Sequence, residues 1–203
     1  GGLRLSSATI NQTFYLNPEP RMAIHYRLSE KAALKASYSR MAQYIHRISS
    51  AAVAFPTDIW YPVTDRVVPQ TADQWTLAFQ QHIPRKNLFV SVETYYKNLQ
   101  NLIGYREGTN LFLNTSFEDQ LIQGVGKAYG VEVLIKKEKG KLTGWISYTL
   151  SKSLRQYDEV NQGKWFLSRY DRRHNGALVL NYELSKRFSL SGVFEFISGS
   201  RFT

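Results

Sequence analysis

The chain has 203 residues, 43% hydrophobic and 14% aromatic, with a formal net charge of +10. That hydrophobic share excludes a disordered chain, and so many aromatic rings fit a protein with aromatic girdles or a carbohydrate-like ligand. No run approaches 18 apolar residues, which excludes a transmembrane helix but not a transmembrane β-barrel, and the absence of cysteine excludes a disulfide framework and thiolate metal sites.

Residues 3 to 19 end in Asn17-Pro18-Glu19-Pro20, two close prolines that read as a loop delivering the chain into its first full strand. In that strand Met22, Ile24, Tyr26 and Leu28 alternate with Arg21, Ala23, His25 and Arg27. A turn at Glu30-Lys31 leads to a second strand, where Leu34, Ala36 and Tyr38 face away from Lys35, Ser37 and Ser39. Residues 42 to 72 then carry Pro56, Pro62 and Pro69 without sustained alternation. A connection of about 30 residues far exceeds the usual length and is normally functional.

Alternation resumes from Asp73 to Ile83, with Trp75, Leu77 and Phe79 on one face, and after a turn at Pro84-Arg85-Lys86-Asn87 it continues through Leu88, Val90 and Val92 against Ser91, Glu93 and Tyr95. A second long connection, Leu99 to Gly126, carries Asn101, Tyr105, Arg106, Asn110 and Asn114. The third hairpin, Lys127 to Ser153, turns at Glu138-Lys139-Gly140-Lys141. Tyr129, Val131, Val133 and Ile135 share one face of its first arm, and Gly144, Ile146, Tyr148 and Leu150 one face of its second. Each arm has about a dozen residues, which suits a tilted strand crossing a bilayer of roughly 30 Å. Its exit, Leu154 to Asp171, is long and aromatic; the fourth hairpin pairs Leu178 to Leu184 with Leu190 to Phe196 through Ser185-Lys186-Arg187.

The fold class is therefore all-β, an antiparallel meander of about eight long strands, with short turns at one end and long loops at the other. That asymmetry is the pattern of an outer-membrane barrel, with short turns periplasmic and long loops extracellular. The alternative is a soluble ligand-binding β-barrel or sandwich. The positive charge first points to nucleic acid, but most of the excess sits at the tight turns and makes a basic rim, without aromatics interleaved on a sheet face. No nucleic-acid partner is expected.

The stretch Lys127 to Ser153, with its Gly-Trp-Ile-Ser-Tyr-Thr-Leu-Ser run, resembles the barrel of a TonB-dependent outer-membrane receptor of the kind common in Bacteroidetes. Pro18-Glu19-Pro20-Arg21, Lys35 to Met41, Pro56 to Trp60, Pro69 to Gln74 and Tyr170 to His174 are similar to family positions in matching order. The resemblance implies part of a 22-stranded transmembrane β-barrel, plugged by an N-terminal domain, that imports a scarce nutrient using energy passed from TonB. Residues 1–203 then form a partial barrel domain without the plug, a middle-to-late portion of the receptor. Its implied partners are outer-membrane lipid, the plug, TonB and a small-molecule or oligomeric nutrient; no cofactor is implied.

On the barrel reading, Arg21, His25, Arg27, Lys35, Glu93, Glu132, Glu183 and Glu195 line the lumen, either contacting plug and substrate or pairing among themselves in a wet interior. Loop candidates for substrate binding are Asp58, Trp60, Tyr61, Tyr105, Arg106 and Trp165, since aromatic rings cover apolar surface while polar neighbours fix orientation. Trp165, Phe166 and Tyr170 fit a membrane-interface girdle better than a ligand patch. Asp171-Arg172-Arg173-His174 reads as a charged anchor where a strand begins. An enzyme is not expected, because His25, His46, His82 and His174 lie far apart without a nucleophile elbow, and no two histidines have metal-ligand spacing.

Overall fold

The computed structural model describes residues 1–48, 59–105 and 117–199. Its strands are β1 (Gly2–Ile10), β2 (Thr13–Arg27), β3 (Ala32–Gln43), β4 (Ile45–Ile48), β5 (Ile59–Pro62) and β6 (Gln70–Ile83). There follow β7 (Leu88–Tyr105), β8 (Leu121–Lys137), β9 (Leu142–Gln156), β10 (Phe166–Leu167), β11 (His174–Ser185) and β12 (Phe188–Ile197). One antiparallel sheet runs in the order β1-β2-β3-β6-β7-β8-β9-β11-β12, with β10 paired to β9, while β4 and β5 form a separate small hairpin. The main sheet is a meander, as expected.

Register decides the two faces. Tyr26, Leu34, Phe79, Val92, Val133, Tyr148, Gly176 and Phe196 are successive cross-strand partners, so the apolar set of each strand joins that of the next. One residue along, His25, Lys35, Ala78, Glu93, Glu132, Thr149 and Asn175 form the adjoining row of the polar face. A slip of one residue at any ladder would invert a strand, so these matched patterns fix the register.

Among the described residues nothing covers the apolar face. Ile24 is 69% exposed, Leu77 51% and Phe194 64%. Among the described residues the buried hydrophobic side chains are Val63, Val67, Ala78, Leu102, Ile103, Ile122 and Tyr157, and all but Ala78 lie toward the loop end. Such an uncovered apolar sheet suits lipid. Across it run Tyr38, Trp75, Tyr96 and Tyr129, direct partners on four adjacent strands with ring centroids 5.4, 6.0 and 6.5 Å apart. Two residues closer to the loops, the same strands carry Arg40, Asp73, Asn98 and Lys127. The aromatic row thus marks the border between apolar band and polar rim. β7 spans 18 residues; at roughly 3.3 Å each it is longer than a bilayer is thick even when tilted, and its loop end stands above the border.

Two expectations change. Residues 3 to 19 are not a loop: β1 and β2 form a hairpin through Asn11-Gln12, with Asn11 at φ 55°. Pro18 and Pro20 lie inside β2 because there it pairs with β1 only, the β3 ladder stopping at Arg21 opposite Ser39, so a missing N–H breaks no ladder on the open side. Among the described residues the sheet accordingly has nine long strands rather than eight, and one short turn sits at the loop end. Likewise most of Leu99 to Gly126 belongs to β7 and β8 wherever it is described. A bulge between Leu99 and Leu102, with Asn101 at φ 58°, breaks the alternation, and Gly124 and Gly126 leave no side chains to show it.

At the turn end the connections are tight. Leu28 and Ser29 N–H both donate to Ala32 O at 3.0 and 3.1 Å; Pro84–Lys86 is a single 3-10 turn; Gly140, at φ 109°, permits the lysine turn. Placing a charge on each face gives opposite outcomes. Leu77→Arg on the apolar face should destabilise the barrel of the parent receptor by about 2–4 kcal/mol, and Thr76→Arg on the polar face by under about 1 kcal/mol, as read by urea unfolding in bilayers.

Candidate functional site

At the loop end, side chains tie the connections to the strands and to one another. β4 and β5 place Arg47 opposite Trp60 and His46 opposite Tyr61. The segment after β5 is tied to the turn before β8: Tyr61 Oη donates to Glu118 Oε1 at 2.5 Å, and Arg66 Nη1 lies 2.6 Å from Asp119 Oδ1. Burial and the adjacent carboxylate push the Tyr61 phenol up to about 12. It stays protonated and acts as a fixed donor. Beneath it Val67 and Ile103 pack with Tyr61 and Leu121.

The connection also leans on the first hairpin. Tyr44 Oη donates to Ser6 O at 2.9 Å and accepts from Asn17 Nδ2 at 2.9 Å, while Tyr15 Oη donates to Thr64 O at 2.6 Å. Nearby Glu19 is buried, accepting from Ser6 Oγ at 2.5 Å with Arg4 and Arg21 each 4.0 Å away. Arg21, a lumen candidate, is therefore held by a carboxylate on its own face.

The third connection completes the mouth. Asp171 is buried, and its Oδ1 accepts the Ser153 N–H at 2.7 Å. Ser151 Oγ donates to Arg172 O at 2.9 Å, and Tyr148 Oη meets His174 Nδ1 at 2.6 Å. The Asp171 to His174 run thus anchors the start of β11, as its sequence implies. Tyr157, buried under Phe166 with centroids 6.0 Å apart, packs with Leu102 and Ile122 and donates to Ile103 O at 3.2 Å. Added side chains at Gly104 or Gly124 would collide with its ring.

Arg47, from β4, reaches across to this third connection. Its Nη2 is 3.1 Å from Tyr170 Oη, and the guanidinium carbons of Arg47, Arg155 and Arg169 stand 5.6, 5.6 and 5.4 Å from the Tyr170 ring centroid. Three guanidiniums around one phenol, on two connections, make a cationic and aromatic rim. Cation–π contact and fork-shaped donors suit a solute bearing anionic or aromatic groups.

Of the loop candidates, Trp60 is 63% exposed and Tyr61 is engaged with Glu118. Tyr105 closes β7 opposite Leu121, whereas Asp58 and Arg106 lie outside the described residues. Trp165 sits apart from Tyr170, its ring 4.0 Å from Lys127 Nζ, an outward-facing residue. Phe166 packs inward on Tyr157, and the aromatic row at the apolar border comes from Tyr38, Trp75, Tyr96 and Tyr129 instead. The lumen candidates Arg21, His25, Arg27, Lys35, Glu93, Glu132, Glu183 and Glu195 all share the polar face, with Glu93 directly opposite Glu132. Sequence reasoning missed Arg47 and Arg155. Neither has a motif, and only the fold brings them to Tyr170.

The whole of residues 1–203 matches the family described as TonB dependent receptor-like, beta-barrel. The chain belongs to that receptor family. It is a family of outer-membrane receptors and transporters rather than enzymes, and membership places this chain in the outer membrane, in keeping with its long antiparallel strands. No curated protein sequence matches it. In fold it is similar to the FrpB iron transporter from Neisseria meningitidis, at TM-score 0.64 and 12% identity, over 91% of this chain and 27% of that one. It is also similar to the ferric-catecholate import receptor Fiu of E. coli (TM-score 0.63, 14% identity, 91% and 25% covered). A third is FpvAI in complex with a pyocin (TM-score 0.59, 13% identity, 90% and 24% covered). The chain spans about a quarter of the length of these structures.

One feature of this receptor's mouth is sensitive to acid. His46 is fully buried, neither ring nitrogen has a hydrogen-bond partner among the described residues, and burial lowers its pKa to about 4. A depressed histidine contributes stability that is complete above its unfolded value near 6.5 and is lost as pH falls toward 4, because the unfolded form takes up the proton first. Amide exchange at residues 44–47 and 60–63 should rise as pH drops through that window, after correction for intrinsic rates, and His46→Leu should flatten the response.

Proposed function

We propose that this chain is a nine-strand segment of the barrel of an outer-membrane receptor that binds a scarce nutrient at its mouth and imports it with energy passed from TonB. The observation that carries the reading is the convergence of Arg47, Arg155 and Arg169 on Tyr170, at the loop end of a sheet whose other face is uncovered and apolar. In this reading lipid covers the apolar face, the plug domain occupies the polar face, and the remainder of a 22-stranded barrel pairs with the outer edges of β1 and β12. Short turns are periplasmic and the three long connections extracellular. A soluble ligand-binding barrel is disfavoured, because it would bury Ile24, Leu77 and Phe194 rather than expose them.

Two measurements test this. Protease added outside intact cells should cut the parent receptor within the long connections and spare the turns at Lys31, Lys86, Lys139 and Lys186; cleavage at those lysines alone would reverse the orientation. Replacing Tyr170 or Arg155 by alanine should weaken nutrient binding roughly tenfold, about 1–2 kcal/mol each, while barrel assembly is kept. Unchanged affinity in both variants would remove this rim from the binding site.

A further inference from the structure

The rim depends on a hairpin that stands apart from the main sheet. β4 and β5 form their own two-stranded sheet, with Ile45 opposite Pro62, His46 opposite Tyr61 and Arg47 opposite Trp60. Strand alternation gives this hairpin two faces. Ile45 and Trp60, both exposed, share one face with Arg47, and the fully buried His46 shares the other with Tyr61. Val63, also fully buried, follows directly, its N–H donating to Tyr44 O at 2.9 Å. A ladder of four residues a side is marginal in water, so the hairpin keeps its shape through what its buried face rests on. That seat is built from Tyr61 against Val67, Ile103 and Leu121, and from the Tyr61 to Glu118 hydrogen bond.

His46 fits this seat only as a neutral ring. With both nitrogens unpaired among the described residues and no exposed surface, it packs as an apolar side chain, whereas an imidazolium carries two N–H donors that each need an acceptor. The charged and titratable groups around it are engaged elsewhere or turned away. Tyr61, opposite it, donates to Glu118, and Asp119 of the same turn is paired with Arg66. Tyr44 donates to Ser6 O, Asp65 is exposed, and Arg47 is on the other face. Among the described residues no carboxylate lies within ion-pair distance of the His46 ring. A proton on His46 is therefore accommodated when the hairpin leaves its seat, and Arg47, the next residue of the strand, leaves with it. Tyr170 then loses the guanidinium whose Nη2 is 3.1 Å from its hydroxyl.

We propose that His46 is a positioning residue for the mouth: its neutral ring seats the β4–β5 hairpin and so holds Arg47 on Tyr170, and its protonation unseats the hairpin and releases the solute held at the rim. The inference rests on the reading of that rim as the binding site. Its direction follows from linkage. The seated form is favoured in full above the free histidine value near 6.5 and loses ground as pH falls toward about 4, by at most about tenfold per pH unit, because opening takes up one proton.

The test uses the parent receptor in lipid nanodiscs, with nitroxides on cysteines placed at Ile45 of the hairpin and Lys164 of the third connection (I45C/K164C), since residues 1–203 hold no cysteine of their own. Pulsed electron paramagnetic resonance should give one distance at neutral pH and a second, longer population that grows as pH falls toward about 4. H46L should keep the single distance throughout. Naphthalene-1-sulfonate, an aromatic anion that stays charged over this range, should bind roughly tenfold more weakly in acid than at neutral pH, and equally at both in H46L. A distance that ignores pH in the receptor with His46 intact, or that moves equally in H46L, overturns the role of His46. Should H46L fail to assemble, H46Q, which gains no proton in this range, replaces it and must be equally indifferent to acid. A hairpin that moves in acid while sulfonate binding is constant or absent keeps the seating role and removes the rim as the binding site.

Discussion

Everything in this fold depends on pairing backbone N–H and C=O groups where no water can reach them. In hydrocarbon an unpaired peptide group costs several kcal/mol, so a chain that crosses on strands must keep its ladder continuous from one strand to the next. The ladders from β1 to β12 meet that demand, shifting register only near the strand ends, between Leu99 and Leu102 and between Glu183 and Ser185. Side chains then need only suit the solvent on their own face. Tyr26, Leu34, Phe79 and Val92 share the apolar face, which suits lipid, and His25, Lys35 and Glu93 share the polar face, which suits water. Glu93 opposite Glu132 is tolerable for the same reason, since like charges directly across a ladder are unfavourable where water does not screen them.

Where the strands rise above the aromatic row, water returns and the constraint lapses. There the ladder can carry a bulge at Asn101, β2 can part from β3 beyond Arg21, and the chain can make excursions of many residues. Side chains replace the ladder as the organising force. Tyr44, Tyr61, Tyr157 and Asp171 each tie a connection to a strand or to another connection. The buried hydrophobic side chains gather at the same end, which is consistent with a mouth that must hold a defined shape while the membrane band is held by lipid.

Neighbouring positions on β9 illustrate how one sheet keeps its two faces apart. Arg155 and Leu154 are sequence neighbours, and the period of two sends one toward Tyr170 and leaves the other on the face of Lys127. The Arg155 guanidinium and the Lys127–Trp165 contact therefore lie on opposite faces of the same stretch of sheet. Trp165 and Tyr170, five residues apart on one connection, divide in the same way.

The sequence by itself determined the fold class, the faces and the positions of the tight turns, because strand alternation has a period of two and each turn is written in local residues such as Glu138-Lys139-Gly140-Lys141. It also carried the family, through runs such as Gly144 to Ser151 placed in order along the chain. It misread residues 3 to 19, since Pro18 and Pro20 signal a loop unless the strand beside them is known to be absent. It missed the rim around Tyr170, and it grouped Phe166 with the girdle when that ring packs on Tyr157. Only the tertiary structure decided these points. Arg47 and Tyr170 are separated by over a hundred residues of chain, and what brings them together is the order in which strands pair, a long-range property that no local period records.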